Sequence, residues 1–282
     1  MNLVEIDCYN CGSKEYKYYD SENGYNLVKC SACGLLYVNP RPSAEDISSA
    51  MKTGVHTGDS TLRFTGIYHK SKINDYLKIL ADFFPEEKSE LSFKKWLDIG
   101  CGFGEFLQAL NVYSKGNIIA KGSEPNAIKI KSALARNLDV SFIDMDTHKE
   151  KYDFISLLNV YSHIPDPVKF ISSLKKNLTP NGEIFLQTGH ACHLPVKLLP
   201  KPHNLPDHLS FANRDIVENI FKKLGFEIVH VKIYSNETSI YSRTTRFVKE
   251  IAKILLHRRK GFRGLFSNIP YQSFFIRCRL IN

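Results

Sequence analysis

The stretch Leu97-Asp98-Ile99-Gly100-Cys101-Gly102-Phe103-Gly104 decides the fold of this chain of 282 residues. The apolar run 96–99 predicts a buried β-strand, and the glycines that follow it predict a tight turn. Phe106, Leu107 and Leu110 then recur at helical spacing, which predicts an α-helix after the turn. A strand, a glycine-rich turn and a helix in this order are typical of a βα unit that binds a ligand at the turn.

The spacing of the three glycines distinguishes this turn from a dinucleotide-binding one. Dinucleotide-binding turns carry G-x-G-x-x-G, because a pyrophosphate lies against the N-terminus of the helix. Here the glycines follow G-x-G-x-G, and Glu105 stands where that pattern requires the third glycine. An acidic side chain disfavours an anion at this position, so we expect a ligand without phosphate. Asp98 would help to neutralise an ammonium group on such a ligand, directly or through water.

Strand and helix signals alternate along the rest of the chain. Apolar runs predict further strands at 118–124, 154–158, 183–188, 226–233 and 273–280. Helical periodicity predicts helices at 126–136, 168–178 and 214–224. The repeated βα units predict an α/β fold, with a Rossmann-like, doubly wound and mainly parallel sheet.

Four cysteines near the N-terminus form a second motif. Cys8-x2-Cys11 and Cys30-x2-Cys33 are separated by 18 residues, and a glycine follows each pair. Two such pairs are typical of Zn²⁺ held by four thiolates, and the glycines permit the positive φ of a metal-binding turn. The alternatives are two unrelated reduced pairs or a thioredoxin-like site, although the βαβ context of the latter is missing from this part of the sequence. A closed zinc site would stabilise a fold too small to hold itself, and would take no part in catalysis.

The glycine-rich stretch resembles motif I of the class I methyltransferases, which bind S-adenosylmethionine. Residues 158–167, Leu-Asn-Val-Tyr-Ser-His-Ile-Pro-Asp-Pro, resemble the segment after the fourth strand of that family, with Ser162 in place of the usual acid. The turn Pro-Asn-Gly-Glu at 180–183 resembles the one before the fifth strand. The resemblance implies that Glu124 accepts the ribose hydroxyls and that Asp144, or Asp146 as its alternative, binds the adenine amine. The cofactor-binding residues implied are Asp98, Gly100, Gly102, Gly104, Glu124, Asp144 and Asn159.

The chain as a whole is similar to methyltransferases that carry an N-terminal zinc-binding region, in which Cys-Gly-Leu-Leu-Tyr-Val-Asn-Pro-Arg-Pro, here 33–42, recurs. The implied organisation is a zinc-binding ribbon at 1–42, a mostly helical connecting or lid segment at 43–92, and an S-adenosylmethionine-binding domain at 93–282. By analogy, the acceptor is a small molecule such as a sugar, a nucleotide sugar or a lipid-linked glycan, methylated on oxygen or carbon.

Two histidines are candidates for the base that an alcohol or an activated carbon nucleophile requires. His208 lies in the long loop after the strand predicted at 183–188, and the segment 206–211 resembles a stretch of the family in which a histidine faces the active site. His163 is the second candidate, and its alternative is a structural role within a tight proline turn. The other histidines of the loop match no metal-ligand spacing.

Charge and composition set the expected location and partners. The net charge is +9, and residues 243–263 contain eight basic residues against one acid. We interpret this segment either as a helix packed on the sheet or as a basic amphipathic surface for peripheral contact with anionic lipid. Because the sequence contains no apolar run of about 18 residues and no secretory signal, we expect a cytoplasmic protein or one at the inner membrane face.

Two other functions are weighed against a small-molecule methyltransferase. Zinc and positive charge also occur in enzymes that modify RNA, but Asn159-Val160-Tyr161-Ser162 lacks the N/D-P-P-Y/F pattern of enzymes that methylate base amines. The basic segment also lies far from the cofactor motif in the sequence, so the pattern argues against a nucleic-acid substrate. A non-catalytic cofactor-binding protein is the remaining alternative, and the intact glycines and Glu124 argue against it.

Overall fold

The computed structural model describes residues 2–85, 91–199, 201–235 and 272–281. The strands are β1 (Leu3–Val4), β2 (Tyr16–Glu22), β3 (Tyr25–Cys30), β4 (Leu36–Val38), β5 (Arg41–Pro42), β6 (Val55–His56), β7 (Leu62–Arg63), β8 (Lys95–Ile99), β9 (Ile119–Ser123), β10 (Val140–Ser141), β11 (Tyr152–Leu158), β12 (Leu178–Gly189), β13 (Ser210–Phe211), β14 (Phe226–Ser235) and β15 (Gln272–Leu280). The α-helices are α1 (Ala44–Thr53), α2 (Ser71–Phe83), α3 (Glu105–Tyr113), α4 (Ala127–Leu134), α5 (Pro167–Leu174) and α6 (Arg214–Lys223).

Seven strands form the central sheet, in the order β10-β9-β8-β11-β12-β15-β14. The five strands from β10 to β12 pair in parallel, and β15 runs antiparallel between β12 and β14. The prediction of an α/β fold with a mainly parallel sheet is therefore confirmed. The strand order reverses between β8 and β11, and a reversal of this kind opens a ligand crevice at the carboxyl ends of the strands.

Alternate residues of β11 enter two apolar layers, one on each face of the sheet. Phe154 packs with Trp96 at a ring-centroid distance of 4.6 Å, in the layer that also contains the buried side chains of α2 and α3. Ile155 and Leu157 enter the opposite layer with the buried side chains of α5 and α6. Each fully buried side chain of this size contributes about 1.5–3 kcal/mol, so the sheet holds the loops at its edge on a rigid support.

The N-terminal region shares the core of the catalytic part. Its strands β2, β3 and β4 form a sheet that β13 completes from the loop after β12. Leu27 and Val38 are fully buried and belong to the same apolar cluster as Ile155. The expectation of a ribbon too small to hold itself therefore needs revision, because this region packs on the main core instead of standing alone.

The segment 43–92 is only partly helical. α1 and α2 are present, and Leu80, Phe83 and Phe84, at and directly after the end of α2, are buried. Between the two helices, however, β6 and β7 form a short hairpin. α1 ends because Gly54 adopts a positive φ of 70°, and its N–H donates to the carbonyl of Ala50. A mostly helical segment was thus the wrong expectation for residues 54–70.

The basic segment 243–263 lies outside the described residues. The nearest described residues on either side are Ser235, the last residue of β14, and Gln272, the first residue of β15, which are paired with each other in the sheet. Because β14 runs parallel to β12, its last residue lies at the carboxyl edge of the sheet. Within the described ranges, every helix is too short or too polar to cross a membrane.

Candidate active site

The glycine-rich turn lies at the carboxyl edge of the sheet, between β8 and α3. Gly100, Gly102 and Gly104 all have positive φ, at 69°, 59° and 84°. A Cβ on Gly100 would lie 2.5 Å from Val160, and one on Gly104 would lie 2.4 Å from Leu138. A Cβ on Gly102 would instead meet no atom within 4 Å. Two of these glycines are therefore required by packing, whereas Gly102 faces open space at the place where a ligand is expected.

Glu124 follows β9 and fixes the glycine-rich turn. It is 3% exposed, and its two carboxylate oxygens accept hydrogen bonds from the N–H groups of Gly102 (2.9 Å) and Asn126 (3.0 Å). Lys129 Nζ lies 3.9 Å from the same carboxylate. A carboxylate has about four acceptor positions, so Glu124 keeps capacity for the hydroxyls of a bound ribose.

Asp98 lies at the centre of a buried polar chain. Trp96 Nε1 donates to Ser156 Oγ at 2.9 Å, and Ser156 Oγ donates to Asp98 Oδ1 at 2.5 Å. Burial raises the pKa of Asp98 to about 7 against the opposing effect of the Ser156 hydrogen bond, and the charges of Glu124 and Glu105 raise it further. Asp98, Glu105 and Glu124 favour a cationic ligand, because its charge would relieve the repulsion among these three carboxyl groups.

Two of the predicted cofactor residues occupy turns at the same edge. The carboxylate of Asp144 accepts hydrogen bonds from Asp146 N–H at 3.0 Å and from the Thr147 hydroxyl at 3.3 Å, within its own exposed turn after β10. Asn159 follows β11 with a positive φ of 59°, and its N–H donates to the carbonyl of Gln187 at 3.1 Å. Asp144 therefore shapes a loop beside the crevice, and Asn159 lies in the strained turn that leads to His163.

His163 is hydrogen-bonded to Asp207. Its Nδ1 lies 2.8 Å from the Asp207 carbonyl oxygen and 3.1 Å from Asp207 Oδ1. A carbonyl oxygen can only accept, so Nδ1 carries the proton and Nε2 of the neutral ring is the acceptor. Burial opposes protonation of His163, but the hydrogen bonds and charge of Asp207 outweigh it and raise the pKa of the ring.

A second histidine shares the same carboxylate. His56 Nε2 lies 3.1 Å from Asp207 Oδ1, the same oxygen that His163 contacts. Burial would raise the pKa of Asp207, but the two histidines hold it well below its usual range. Asp207 therefore remains ionised and orients both rings.

His208 lies beside this pair in a different environment. Its ring centroid is 4.7 Å from that of His163 in an edge-to-face contact, and its ring stacks on Phe211 at a centroid distance of 5.7 Å. Burial, followed by the positive charge of His163, lowers the pKa of His208 to about 4. His208 is thus neutral at physiological pH but a weak proton acceptor.

A cavity of about 340 Å³ opens between α1 and this histidine cluster. Its wall combines apolar and polar side chains, among them Ile47, Ala50, Val55, His56, His163 and Asp207. A volume of this size is typical of small-molecule sites. Asn126 Nδ2 donates to the carbonyl of Lys52 at 3.0 Å, which ties the end of α1 to the loop that follows Glu124. This bond therefore connects one wall of the cavity to the segment that carries Glu124.

The four N-terminal cysteines converge. The Sγ atoms of Cys8 and Cys33, and those of Cys11 and Cys30, are 3.6 Å apart, and all four lie within 4.8 Å of one another. Tetrahedral zinc with four thiolates requires S–S separations of about 3.8 Å, from Zn–S bonds of about 2.3 Å. Gly12 and Gly34, which follow the two pairs, have the predicted positive φ of 73° and 76°. The residues present fit one zinc ion.

The remaining histidines of the loop after β12 have separate structural contacts. His190 Nδ1 accepts the N–H of Arg214 at the start of α6, and His203 Nε2 lies 2.9 Å from Asp20 of β2. These rings point to different partners, so they do not build a common metal site with His208.

Sequence reasoning missed several contributors to this site. His56 lies in a short hairpin without any motif, and Ser156 lies inside an apolar strand where no pattern marks it. Asp207 had a signal, since it precedes His208 in the loop, but adjacency along the chain does not reveal that it faces His163. A search for a carboxylate within the loop of each candidate histidine would have selected Asp207.

Residues 68–231 match the protein family described as "Methyltransferase domain". The ubiquinone biosynthesis O-methyltransferase of Saccharophagus degradans is 28% identical over 210 residues, which are 67% of this chain and 86% of that protein. The enzyme of the same name from Actinobacillus pleuropneumoniae (strain L20) is 30% identical over 121 residues, which are 38% of this chain and only 50% of that protein.

Solved structures share the fold at low sequence identity. The Haemonchus contortus phosphoethanolamine N-methyltransferase 2, in complex with S-adenosyl-L-methionine, aligns with a TM-score of 0.52 and 17% identity over 74% of this chain and 53% of its own. A Galdieria sulphuraria protein assigned as a sarcosine dimethylglycine methyltransferase aligns with a TM-score of 0.54 and 16% identity over 76% of this chain and 92% of its own. At these identities the likeness concerns the fold alone.

Proposed function

Because this chain belongs to the methyltransferase-domain family and is an S-adenosylmethionine-dependent methyltransferase, we propose that it methylates a hydroxyl group of a small molecule. The acceptor would occupy the cavity between α1 and the His163–Asp207 pair. The observation that carries this proposal is the hydrogen bond from His163 Nδ1 to the Asp207 carbonyl, which leaves Nε2 as a proton acceptor.

Deprotonation of the acceptor falls to His163 in this proposal. S-Adenosylmethionine, when bound, supplies an electrophilic methyl group on a sulfonium. A hydroxyl is a weak nucleophile until it loses its proton, and His163 Nε2 would take that proton as the oxygen is methylated. Asp207 would stabilise the imidazolium that forms, because it is ionised and already bonded to Nδ1.

The structure favours His163 over His208 as the candidate base, the reverse of the preference drawn from the sequence. His208 was the first candidate, but its pKa of about 4 makes it a poor acceptor for an alcohol proton near neutrality. His163 has a raised pKa and a carboxylate partner, which are the properties of a general base that works near neutral pH. We therefore assign His163 as the base and His208 as a neighbour that shapes its pocket.

Oxygen is the acceptor atom that the relatives favour. The curated relatives in the comparison carry the name O-methyltransferase, whereas carbon and oxygen remained open from the sequence. A sugar, a nucleotide sugar or a lipid-linked glycan offers such a hydroxyl, and so does a hydroxylated ring of the kind that the name ubiquinone biosynthesis suggests. The mixed wall of the cavity is compatible with an acceptor that has one apolar and one polar side.

The test incubates the purified chain and S-adenosylmethionine with a small-molecule extract, and follows products heavier by about 14 Da. His163→Asn should lower turnover by about 10²–10⁴-fold, while the affinity for S-adenosylmethionine stays near the wild-type value. His193→Asn is the matched control, because that exposed histidine belongs to the same loop region but not to the cluster. Full turnover in His163→Asn, with a large loss in His208→Asn, would restore the original order of the two bases.

The N-terminal region is proposed to hold one structural zinc ion. Cys8, Cys11, Cys30 and Cys33 would be its ligands. With four thiolates the site has no open position for a substrate, so its contribution is to the stability of the region that β13 joins.

Contact with a membrane surface is proposed for residues 243–263. Their charge supports it, since eight basic residues stand against one acid. The described residues Ser235 and Gln272 lie at the carboxyl edge of the sheet, the edge that also carries the glycine-rich turn. Flotation with anionic and with neutral liposomes tests the proposal, and equal partitioning onto both would contradict it.

A further inference from the structure

A tyrosine in the first cysteine turn contacts both segments of the catalytic cluster. Tyr9 lies between Cys8 and Cys11, and its hydroxyl donates to Ser210 Oγ at 3.0 Å. The same hydroxyl lies 3.2 Å from the hydroxyl of Tyr161. Since Tyr9 has one hydroxyl proton and gives it to Ser210, Tyr161 is the donor in the second bond. A directed chain of three hydroxyls therefore runs from Tyr161 through Tyr9 to Ser210.

The two ends of this chain lie close in sequence to the proposed base and its partner. Tyr161 is two residues before His163, and Ser210 is three residues after Asp207. Tyr161 is 0% exposed and Ser210 is 1% exposed, so water does not replace a lost partner easily. Because an unpaired buried hydroxyl is unfavourable, both bonds constrain where the two segments lie relative to each other.

Backbone hydrogen bonds hold the same elements independently of these hydroxyls. Leu209 N–H donates to the carbonyl of Ser162 at 2.7 Å, and Val38 N–H donates to the carbonyl of Leu209 at 2.9 Å. Pairing of β13 with β4 continues this ladder. Removal of one hydroxyl should therefore leave the fold intact and change only the fine spacing of the two segments.

We infer that Tyr9 is a positioning residue for methyl transfer, whose hydroxyl adjusts the fine spacing between the segment that carries His163 and the segment that carries Asp207. The inference rests on the proposed function, in which these two residues form the base and its partner. An error of about 1 Å in the placement of a reacting group lowers turnover by up to about 10²-fold, so a small displacement is sufficient for a measurable effect.

The experiment compares Tyr9→Phe with Tyr18→Phe in the full chain. Tyr18 is a matched control because it is 65% exposed on β2 and bonds only to Ser21 in its own hairpin among the hydrogen bonds described. We expect Tyr9→Phe to lower kcat by about tenfold or more, with an unchanged dissociation constant for S-adenosylmethionine by calorimetry. The ring signals of His163 in NMR should also shift, and its pKa should fall, because Asp207 is no longer held against it. Tyr18→Phe should match the wild type in all three measurements.

The other groups that act on His163, namely His56, His208 and Lys129, are unchanged in both variants. Tyr161→Phe removes only the bond between Tyr161 and Tyr9, so it should lower kcat less than Tyr9→Phe, which removes both bonds. The double variant should be no worse than Tyr9→Phe alone. Unchanged His163 signals and kcat in Tyr9→Phe would overturn the inference. So would a parallel loss of cofactor affinity, which indicates a general structural role. If the wild type methylates no acceptor, the proposed function fails, while the NMR comparison still decides whether Tyr9 positions His163.

Discussion

Substitution of Gly102 by alanine tests whether this position must be glycine to leave space for the cofactor or only to permit the positive φ of the turn. Gly102 has a φ of 59°, and an added Cβ would meet no protein atom within 4 Å. Gly116, in the turn between α3 and β9, offers a matched control, because its φ is 80° and an added Cβ there also meets nothing within 4 Å. An alanine at either position carries the same left-handed backbone penalty of about 1–2 kcal/mol. Both variants should therefore lose similar stability.

Affinity for S-adenosylmethionine should distinguish the two variants. At Gly102 the new methyl group enters the open space beside Glu124, where the cofactor is expected, and overpacking by one methyl typically costs about 1–3 kcal/mol. This corresponds to a dissociation constant raised by about 5–150-fold in Gly102→Ala. Gly116→Ala should bind as the wild type does. Calorimetric titration gives the affinities, and thermal melts check that both proteins lose the same stability.

A third substitution reports on packing rather than binding. A Cβ on Gly104 would lie 2.4 Å from Leu138 Cδ1, so Gly104→Ala should lower the melting temperature more than either of the other two variants. Equal cofactor affinity in Gly102→Ala and Gly116→Ala would refute the reasoning. It would mean that the open space at Gly102 is not part of the cofactor site.

Three further predictions concern the carboxylates and the cysteines. Glu124→Ala should weaken S-adenosylmethionine binding by about 1–3 kcal/mol, because the carboxylate that would accept the ribose hydroxyls and that fixes Gly102 is lost. Unchanged affinity by calorimetry would contradict this assignment. In the wild type, Asp207 raises the pKa of His163, and the base acts in its neutral form. Asp207→Asn should therefore move the rise of the pH–rate profile to lower pH. A profile that stays in place would show that another group titrates. Metal analysis should find one zinc per chain, and Cys30→Ser should lose it. Because the N-terminal region shares the main core, this variant should also lower the melting temperature of the whole chain. A metal-free wild type with the same stability would contradict the zinc site.

The sequence by itself determined the architecture and marked the candidate cofactor motifs, because both are encoded locally. Helical and strand periodicity report which face of each segment is buried, and they predicted six of the seven strands of the central sheet. The short strand β10 was given no bounds, and β12 begins five residues before the predicted start at 183. The glycine-rich turn and Glu124 were identified because each follows a strand at a recognisable spacing. The two cysteine pairs were also recognised from the sequence, since the short spacing within each pair is typical of a metal-binding turn.

Only the tertiary structure decided which residues gather around His163, the proposed base. His163 meets Asp207 across 44 positions of the chain, and Tyr9 meets Tyr161 across 152. The same is true of β13, a two-residue strand from the loop that completes the N-terminal sheet. Such pairings depend on how the loops at the carboxyl edge pack against the N-terminal region. No local periodicity or spacing carries that information, because the energy that selects these contacts comes from the shared core beneath them rather than from the segments themselves.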